Sequence, residues 1–292
     1  MKQVQKAMCV IFSLVMVLSM LAGCGYAGAA FDEGREIGVV SREDGSGTRG
    51  AFIELFGIEA KNDDGTRKDM TTKEAVIANQ TNVMITNIAG NKYGIGYISL
   101  GSLNRTVKAL DIGGAKATAE NVKNGAYPIA RPFNIATKGE PQGLTKDFID
   151  FILSGEGQAV VSQGYIAVDE NAPAYAGGKP AGKIVVSGSS SVTPIMERLK
   201  EAYIAVNPGA VVEIQQSDSS AGLKDAVNGI CDIAMASREL KDSELEQLLP
   251  VQIALDGIAV IVNNENPFTN LTKDQIKSIF TGETTQWNGL DR

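Results

Sequence analysis

The sequence predicts an α/β protein of two lobes with mixed, mainly parallel sheets. Short apolar strands alternate with helical runs along the chain. A strand leading into a Ser/Gly-rich turn at a helix start recurs in separate regions. A Pro/Gly/Ala-rich stretch, residues 171–182, divides the strands and helices into two runs.

The first residues stand apart from that pattern. Lys2 and Lys6 precede an apolar run, Ala7 to Met20, too short for a comfortable membrane span. It ends in Leu21-Ala22-Gly23-Cys24, the lipobox pattern of bacterial lipoproteins. Residues 1–23 therefore read as a lipoprotein signal peptide and 24–35 as a tether. Cys24 is the expected lipidation site, whose diacylglyceryl chains would hold the protein on the outer face of the cytoplasmic membrane. Each buried CH₂ contributes roughly 0.8 kcal/mol, so two chains suffice for stable anchoring.

The elements follow in order. Ile37 to Val40 is a short strand, and Ser41 to Arg49 a turn into the helical run Ala51 to Phe56. Lys61 to Asp69 reads as a surface loop. Thr71 to Ala78 and Thr81 to Ala89 read as helical turns with Thr caps. Gly94 to Leu100 and Val107 to Ile112 read as strands, and Thr118 begins a short helix. Tyr127 to Ala136 has the prolines of an edge strand. Leu144, Phe148, Ile149 and Ile152 have helical spacing. After the linker come a strand from Lys183 to Val186, a turn at Ser187 to Pro194, and a helix carrying Ile195, Leu199, Ala202 and Tyr203. A strand at Val211 to Gln215, a helix start at Ser219, and a strand at Asp232 to Met235 follow. Gln252 to Asn263 is a long apolar strand, and Thr272 caps a last helix.

Composition excludes several functions. The chain has 292 residues, no histidine and a formal charge of −7. Histidine-based acid–base chemistry, His-containing triads and most zinc sites are ruled out. No basic stripe suits nucleic acid. Of the three cysteines, Cys9 leaves with the signal, Cys24 takes the lipid, and Cys231 has an apolar setting. No disulfide, metal cluster or cofactor motif results, and a phosphoester hydrolase has neither a nucleophile–base pair nor a metal site.

The repeated turn carries the chemistry. Arg42, Ser46, Gly47 and Thr48 precede one helix; Ser190 and Ser191 precede another; Ser219 begins a third; and Ser237-Arg238 follows a strand. The first N–H groups of a helix lack intrahelical partners and carry partial positive charge, which suits an anion. Any one such turn is equally an ordinary N-capped connection. All of them lie near the C-terminal ends of strands, where open α/β sheets bind ligands, and together they fit one oxyanion held between two lobes.

At this point the residues resemble a family. Ser187 to Pro194, Met235-Ala236-Ser237-Arg238-Glu239-Leu240, Ala254 to Val260, Phe280-Thr281-Gly282 with Trp287, and Ser41 to Arg49 resemble the phosphate-binding lipoproteins of bacterial ABC phosphate importers. Gly94 to Leu100, Asn124 to Pro132 and Gly155 to Ala159 do so as well. The resemblance implies a two-lobed periplasmic-binding-protein clamshell of type II. It would close on inorganic phosphate and pass it to permease subunits without catalysing a reaction.

Carried over residue by residue, the resemblance implies that Arg42, Ser46, Gly47 and Thr48 hold phosphate from one lobe, with Asp44 orienting Arg42. Ser190, Ser191, Ser219 and Ser237 complete the cage from the other. Several relatives have an Asp where Ser237 stands. That Asp accepts the proton of hydrogen phosphate, so its absence leaves selection against sulfate open. Asp256 is the candidate substitute, and Arg238 the expected partner of Asp256 or of the ligand. The alternatives are another oxyanion (sulfate, molybdate or a phosphonate) and a sensor or surface lipoprotein that does not transport.

The order of the segments departs from the family, where the Ser187 to Pro194 segment comes first. The expectation is a circular permutation joined at 171–182. One lobe comprises 36–105 with 264–292, and the other comprises 106–263. A monomer is expected, with a swapped dimer as the alternative.

Overall fold

The computed structural model describes residues 30–61 and 67–291. The expected signal segment, residues 1–23, and the expected lipidation site Cys24 lie outside the described residues. Glu33–Arg292 forms one compact unit, and all the elements below belong to it.

The first run contains β1 (Gly38–Arg42), α1 (Gly47–Leu55), β2 (Glu59–Lys61), β3 (Arg67–Asp69), β4 (Val76–Ala78), α2 (Thr81–Gly90) and β5 (Gly94–Ser99). Then come β6 (Val107–Ala109), β7 (Asp111–Ile112), α3 (Ala119–Lys123), β8 (Ala130–Thr137), α4 (Gly143–Leu153), α5 (Gly155–Val161) and β9 (Ile166–Ala167). After the linker follow β10 (Gly182–Ser189), α6 (Thr193–Val206), β11 (Ala210–Ser217), α7 (Ser219–Val227), β12 (Ile233–Ala236) and α8 (Asp242–Leu245). The chain closes with β13 (Leu249–Asn263), β14 (Asn270–Leu271) and α9 (Lys273–Thr281).

One curled mixed sheet runs β11-β10-β12-β8-β13-β5-β1-β4, with β6 and β9 also pairing to β13. Its wings are parallel: β10 pairs so with β11 and β12, and β1 with β4 and β5. Its centre, around β8 and β13, is antiparallel. β13 is long enough to serve both halves. Its first part pairs with β8, and Ile258–Val262 with β5.

Separate cores lie to either side. Phe148 and Ile152 of α4 meet Leu199 and Tyr203 of α6, Val186 and Ile233 in one cluster. Met84 and Ile88 of α2 meet Val40, Ile98, Ala259 and Ile261 in another. Thr272 caps α9 through a capping box with Gln275, and Gly282 ends it in the left-handed conformation at φ 83°.

Four local expectations change. Val76–Ala78 is a strand, not helix, because β-branched Val76 and Ile77 extend the sheet beside β1. Arg67–Asp69 pairs antiparallel with Glu59–Lys61 instead of looping. Val107 to Ile112 divides into β6, paired with β13, and β7, paired with β14. β8 is central, not an edge. Its Pro132 lies outside the stretch, Asn134–Ala136, that β12 covers, so the missing N–H interrupts no ladder there.

The two ends of the chain build one structure. Ile37 N donates to Thr285 O (2.8 Å), Asn288 N to Glu33 O (2.8 Å), and Glu36 bridges Gln286. Trp287 Nε1 donates to Tyr93 O at 3.2 Å. Beneath the first anion turn, Phe52 of α1 stacks on Tyr97 of β5 at 3.8 Å and meets Phe280 of α9 at 4.7 Å. The linker is fastened down: Gly155 N donates to Pro173 O (2.8 Å), and the Tyr175 hydroxyl donates to buried Asp147.

Candidate anion-binding site

The polypeptide brings the predicted turns together. β1 delivers Arg42, fully buried, to the C-terminal edge of the sheet. Ser46 is the N-cap of α1, its hydroxyl accepting from Arg49 N at 3.3 Å. Gly47 and Thr48 thereby occupy the first turn of that helix. β10 ends at Ser189 and presents Ser190 and Ser191 ahead of α6. Asp218 caps α7 by accepting from Ala221 N at 2.8 Å, so Ser219 stands at its first position. β12 delivers Ser237. All of these hydroxyl residues are buried.

Their contacts join the two runs of the chain. Arg42 Nη2 donates to Ser190 Oγ at 3.0 Å. Thr48 Oγ1 lies 2.8 Å from Ser191 Oγ and 3.3 Å from Ser237 Oγ. Ser237 Oγ also accepts from Ser189 Oγ at 2.9 Å, while Ser237 N donates to Ser219 Oγ at 3.1 Å. Gly47 is required by close approach. A Cβ there would stand 2.5 Å from Ser219 Oγ and 2.8 Å from Ser237 Oγ. Gly45 is similarly tight against Asp218, and its carbonyl accepts from Ser220 N at 3.2 Å.

The supporting residues differ from expectation. Glu43, not Asp44, holds Arg42, with Nε–Oε2 at 2.8 Å and Nη2–Oε1 at 2.6 Å. Asp44 has a side chain 97% exposed and pairs instead with Arg49 at 2.8 Å. Its short side chain leaves the turn toward solvent, whereas the longer Glu43 reaches back along the strand end. Arg238 does not meet Asp256. It forks onto Glu244 at 2.7 and 2.9 Å and donates to Ser220 Oγ at 3.1 Å.

Asp256 is paired with Arg131, its cross-strand neighbour on β8. Asp256 also accepts from Gly101 N at 3.1 Å. Burial pushes the Asp256 carboxyl above its usual range and the Arg131 guanidinium below its own, each opposed by the other's charge. Among the described residues, none of the hydrogen bonds of the cage hydroxyls goes to a carboxylate.

Two residues at the cluster went unassigned in the sequence. Thr81, at the first position of α2, has both N and Oγ1 3.3 Å from Ser190 Oγ. Misreading β4 as helix hid the strand–turn–helix signal there. Arg131 Nη2 donates to Thr48 Oγ1 at 3.1 Å. Its signal was a lone cation in a proline-flanked strand, with nothing to say which way it faced. A cleft of about 790 Å³ opens beside the cluster, lined by Arg49, Arg131, Arg238 and residues of α1. Among the described residues no group of acidic, Cys or His side chains could hold a metal ion.

A family model described as "PBP superfamily domain" matches residues 30–156 and 173–291. A phosphate-binding protein PstS 2 of Streptococcus agalactiae is 52% identical over 281 residues, 95% of each chain. This chain belongs to the phosphate-binding proteins of the PBP superfamily.

A solved relative extends the likeness to the fold. A phosphate-binding protein of a phosphate ABC transporter from Streptococcus pneumoniae TIGR4 matches with a TM-score of 0.70 and 44% identity, covering 88% of this chain and 100% of that one. A phosphate-binding protein PstS of Staphylococcus haemolyticus is 37% identical over 112 residues, 36% of this chain and 35% of its own. The streptococcal relatives thus share the segment order of this family member nearly end to end.

Proposed function

We propose that this chain is an extracytoplasmic solute-binding protein that captures inorganic phosphate between two lobes and delivers it to an ABC-type phosphate importer. It catalyses no reaction. The observation that carries the reading is the convergence of Arg42 and Thr48 from one run of the chain on Ser190, Ser191 and Ser237 from the other. Ligand residues from both sides make binding and closure one event. Arg42, Ser46, Gly47 and Thr48 act from the first lobe, and Ser190, Ser191, Ser219 and Ser237 from the second. A charge-assisted hydrogen bond contributes roughly 1.5–3 kcal/mol. Several of them, less the cost of desolvation and closure, correspond to micromolar or tighter binding, on the order of −8 kcal/mol.

We divide the lobes, to a first approximation, as 36–105 with 264–292 against 106–263. The pairing of β6, β7 and the Ile258–Asn263 part of β13 favours moving those residues to the first lobe. The permuted order is supported by the adjacency of the chain ends. Diacylated Cys24 tethers the protein to the outer face of the cytoplasmic membrane, where permease subunits receive the ligand.

The experiment is calorimetric titration with phosphate, sulfate, molybdate and a phosphonate. Phosphate binding tightest supports the reading. The missing carboxylate contact at the cage hydroxyls favours the second reading, another oxyanion, which a tighter sulfate or molybdate isotherm would establish. Absence of both a thermal shift and compaction in solution scattering with phosphate would leave a surface or sensor lipoprotein.

A further inference from the structure

We propose that Arg131 is a second anion-facing cation of this site, and that Asp256 positions it, so that the cage selects tetrahedral oxyanions carrying two negative charges. The inference rests on the phosphate reading and deepens it.

Arg131 has a side chain 3% exposed, lying over the Phe133 ring at 4.8 Å. Its Nη1 is spent on β13: it bonds the Asp256 carboxylate and donates to Gly257 O at 3.0 Å and Asp256 O at 3.2 Å. That anchor lies where β13 passes from its β8 partner to its β5 partner. The opposite edge of the guanidinium, Nε with Nη2, is the edge that grips an oxyanion through two parallel N–H···O bonds. Arg42 spends this edge on Glu43. In Arg131, Nη2 reaches Thr48 Oγ1 in the anion turn, and Nε is buried with no hydrogen-bond partner.

A purely structural ion pair would close its donors on the protein, because a buried unpaired donor is costly. Here one edge is closed and the other aims toward the turn that holds the anion. An anion oxygen beside Thr48 supplies the acceptor that Nε lacks. Arg42 and Arg131 then flank the ligand, each also paired with a carboxylate. Two flanking guanidiniums gain more from a dianion than from a monoanion.

The test is titration of the full chain with inorganic phosphate, with ligand-free unfolding midpoints recorded in parallel. R131Q/D256N removes the ion pair as a unit, so the fold loses no charge partner. It is expected to bind phosphate at least tenfold more weakly while its ligand-free midpoint stays near that of the parent. R131K keeps the charge beside Asp256 and loses the planar edge, and is expected to lose fivefold or more. D256N releases the anchor of Arg131. It is expected to weaken phosphate binding and to flatten the gain in affinity as pH rises through the monoanion-to-dianion transition of phosphate, whereas a merely structural partner would lower the midpoint and leave that pH dependence as in the parent. Parent-like affinity, within twofold, in R131Q/D256N or in R131K would overturn the role of Arg131. Failure of the parent protein to bind phosphate would instead sink the reading on which the inference rests.

Discussion

Gly47→Ala separates closure from folding. Gly47 begins α1 with ordinary helical geometry; it is not among the residues with positive φ. Alanine there should leave the ligand-free protein as stable as the parent or up to about 1 kcal/mol more so, by reducing unfolded-chain entropy. In the closed cage the same methyl stands 2.5 Å from Ser219 Oγ, 2.8 Å from Ser237 Oγ and 3.0 Å from Arg238 Cγ. These atoms come from the other run of the chain. The overlap is relieved either by rotating the serines out of the cage, which forfeits ligand donors, or by stopping closure short. Overpacking of this kind costs about 1–3 kcal/mol, which is roughly 5- to 150-fold in the dissociation constant. Calorimetry with phosphate reads the affinity, and thermal unfolding without phosphate reads the fold. A G47A protein that binds within twofold of the parent would refute the cage geometry. So would one whose affinity loss is matched by an equal loss of ligand-free stability.

Three further outcomes follow from the same contacts. Glu43→Ala should weaken phosphate binding about tenfold, since it releases the fork on Arg42, whereas Asp44→Asn should change it less than twofold; the two isotherms together decide which acid supports the arginine. Phe280→Ala should cost about 3–5 kcal/mol of stability in urea unfolding, because that ring ties the last helix to Phe52 and Tyr97. Burial raises the Tyr97 and Tyr165 hydroxyls to about 12. Their stabilising contribution is therefore complete below the unfolded value near 10 and is lost as pH rises from 10 toward 12. Tyrosinate absorbance followed beside circular dichroism should show these two ionising only as the fold melts.

Much of the fold was legible because local rules and tertiary structure agree. α4 buries Leu144, Phe148, Ile149 and Ile152, the residues its spacing selects. Thr272 caps α9 because its hydroxyl and Gln275 satisfy one another's backbone neighbours. Where they disagree, a distant partner decided. Val76–Ala78 is extended because β1 lies alongside it, and β8 is central because β13 and β12 flank it. No local pattern encodes either neighbour. At the site, the turns announced themselves through Ser, Gly and Thr, whose roles depend on backbone position. The charges did not. Whether Glu43 or Asp44 grips Arg42 turns on one methylene and the direction in which the turn leaves the strand.

The placement of the chain's two ends has a physical consequence for folding. β1 carries the anion turn, yet the structure around it is completed by residues at the other end of the chain: Thr285, Gln286, Asn288 and Phe280. Until α9 arrives, Phe52 and Tyr97 lack a ring that covers them. The half with β10, β11 and β12 is assembled from residues closer in sequence and needs no such closure. Contacts of long sequence separation cost loop entropy before they return stability. The half bearing Arg42 and Thr48 should therefore form last and open first, and amide exchange should find less protection in β1 and β4 than in β10 and β12. Uniform protection across the sheet would contradict this order. A first lobe that is the softer of the two is also the one whose movement can admit and release the ligand.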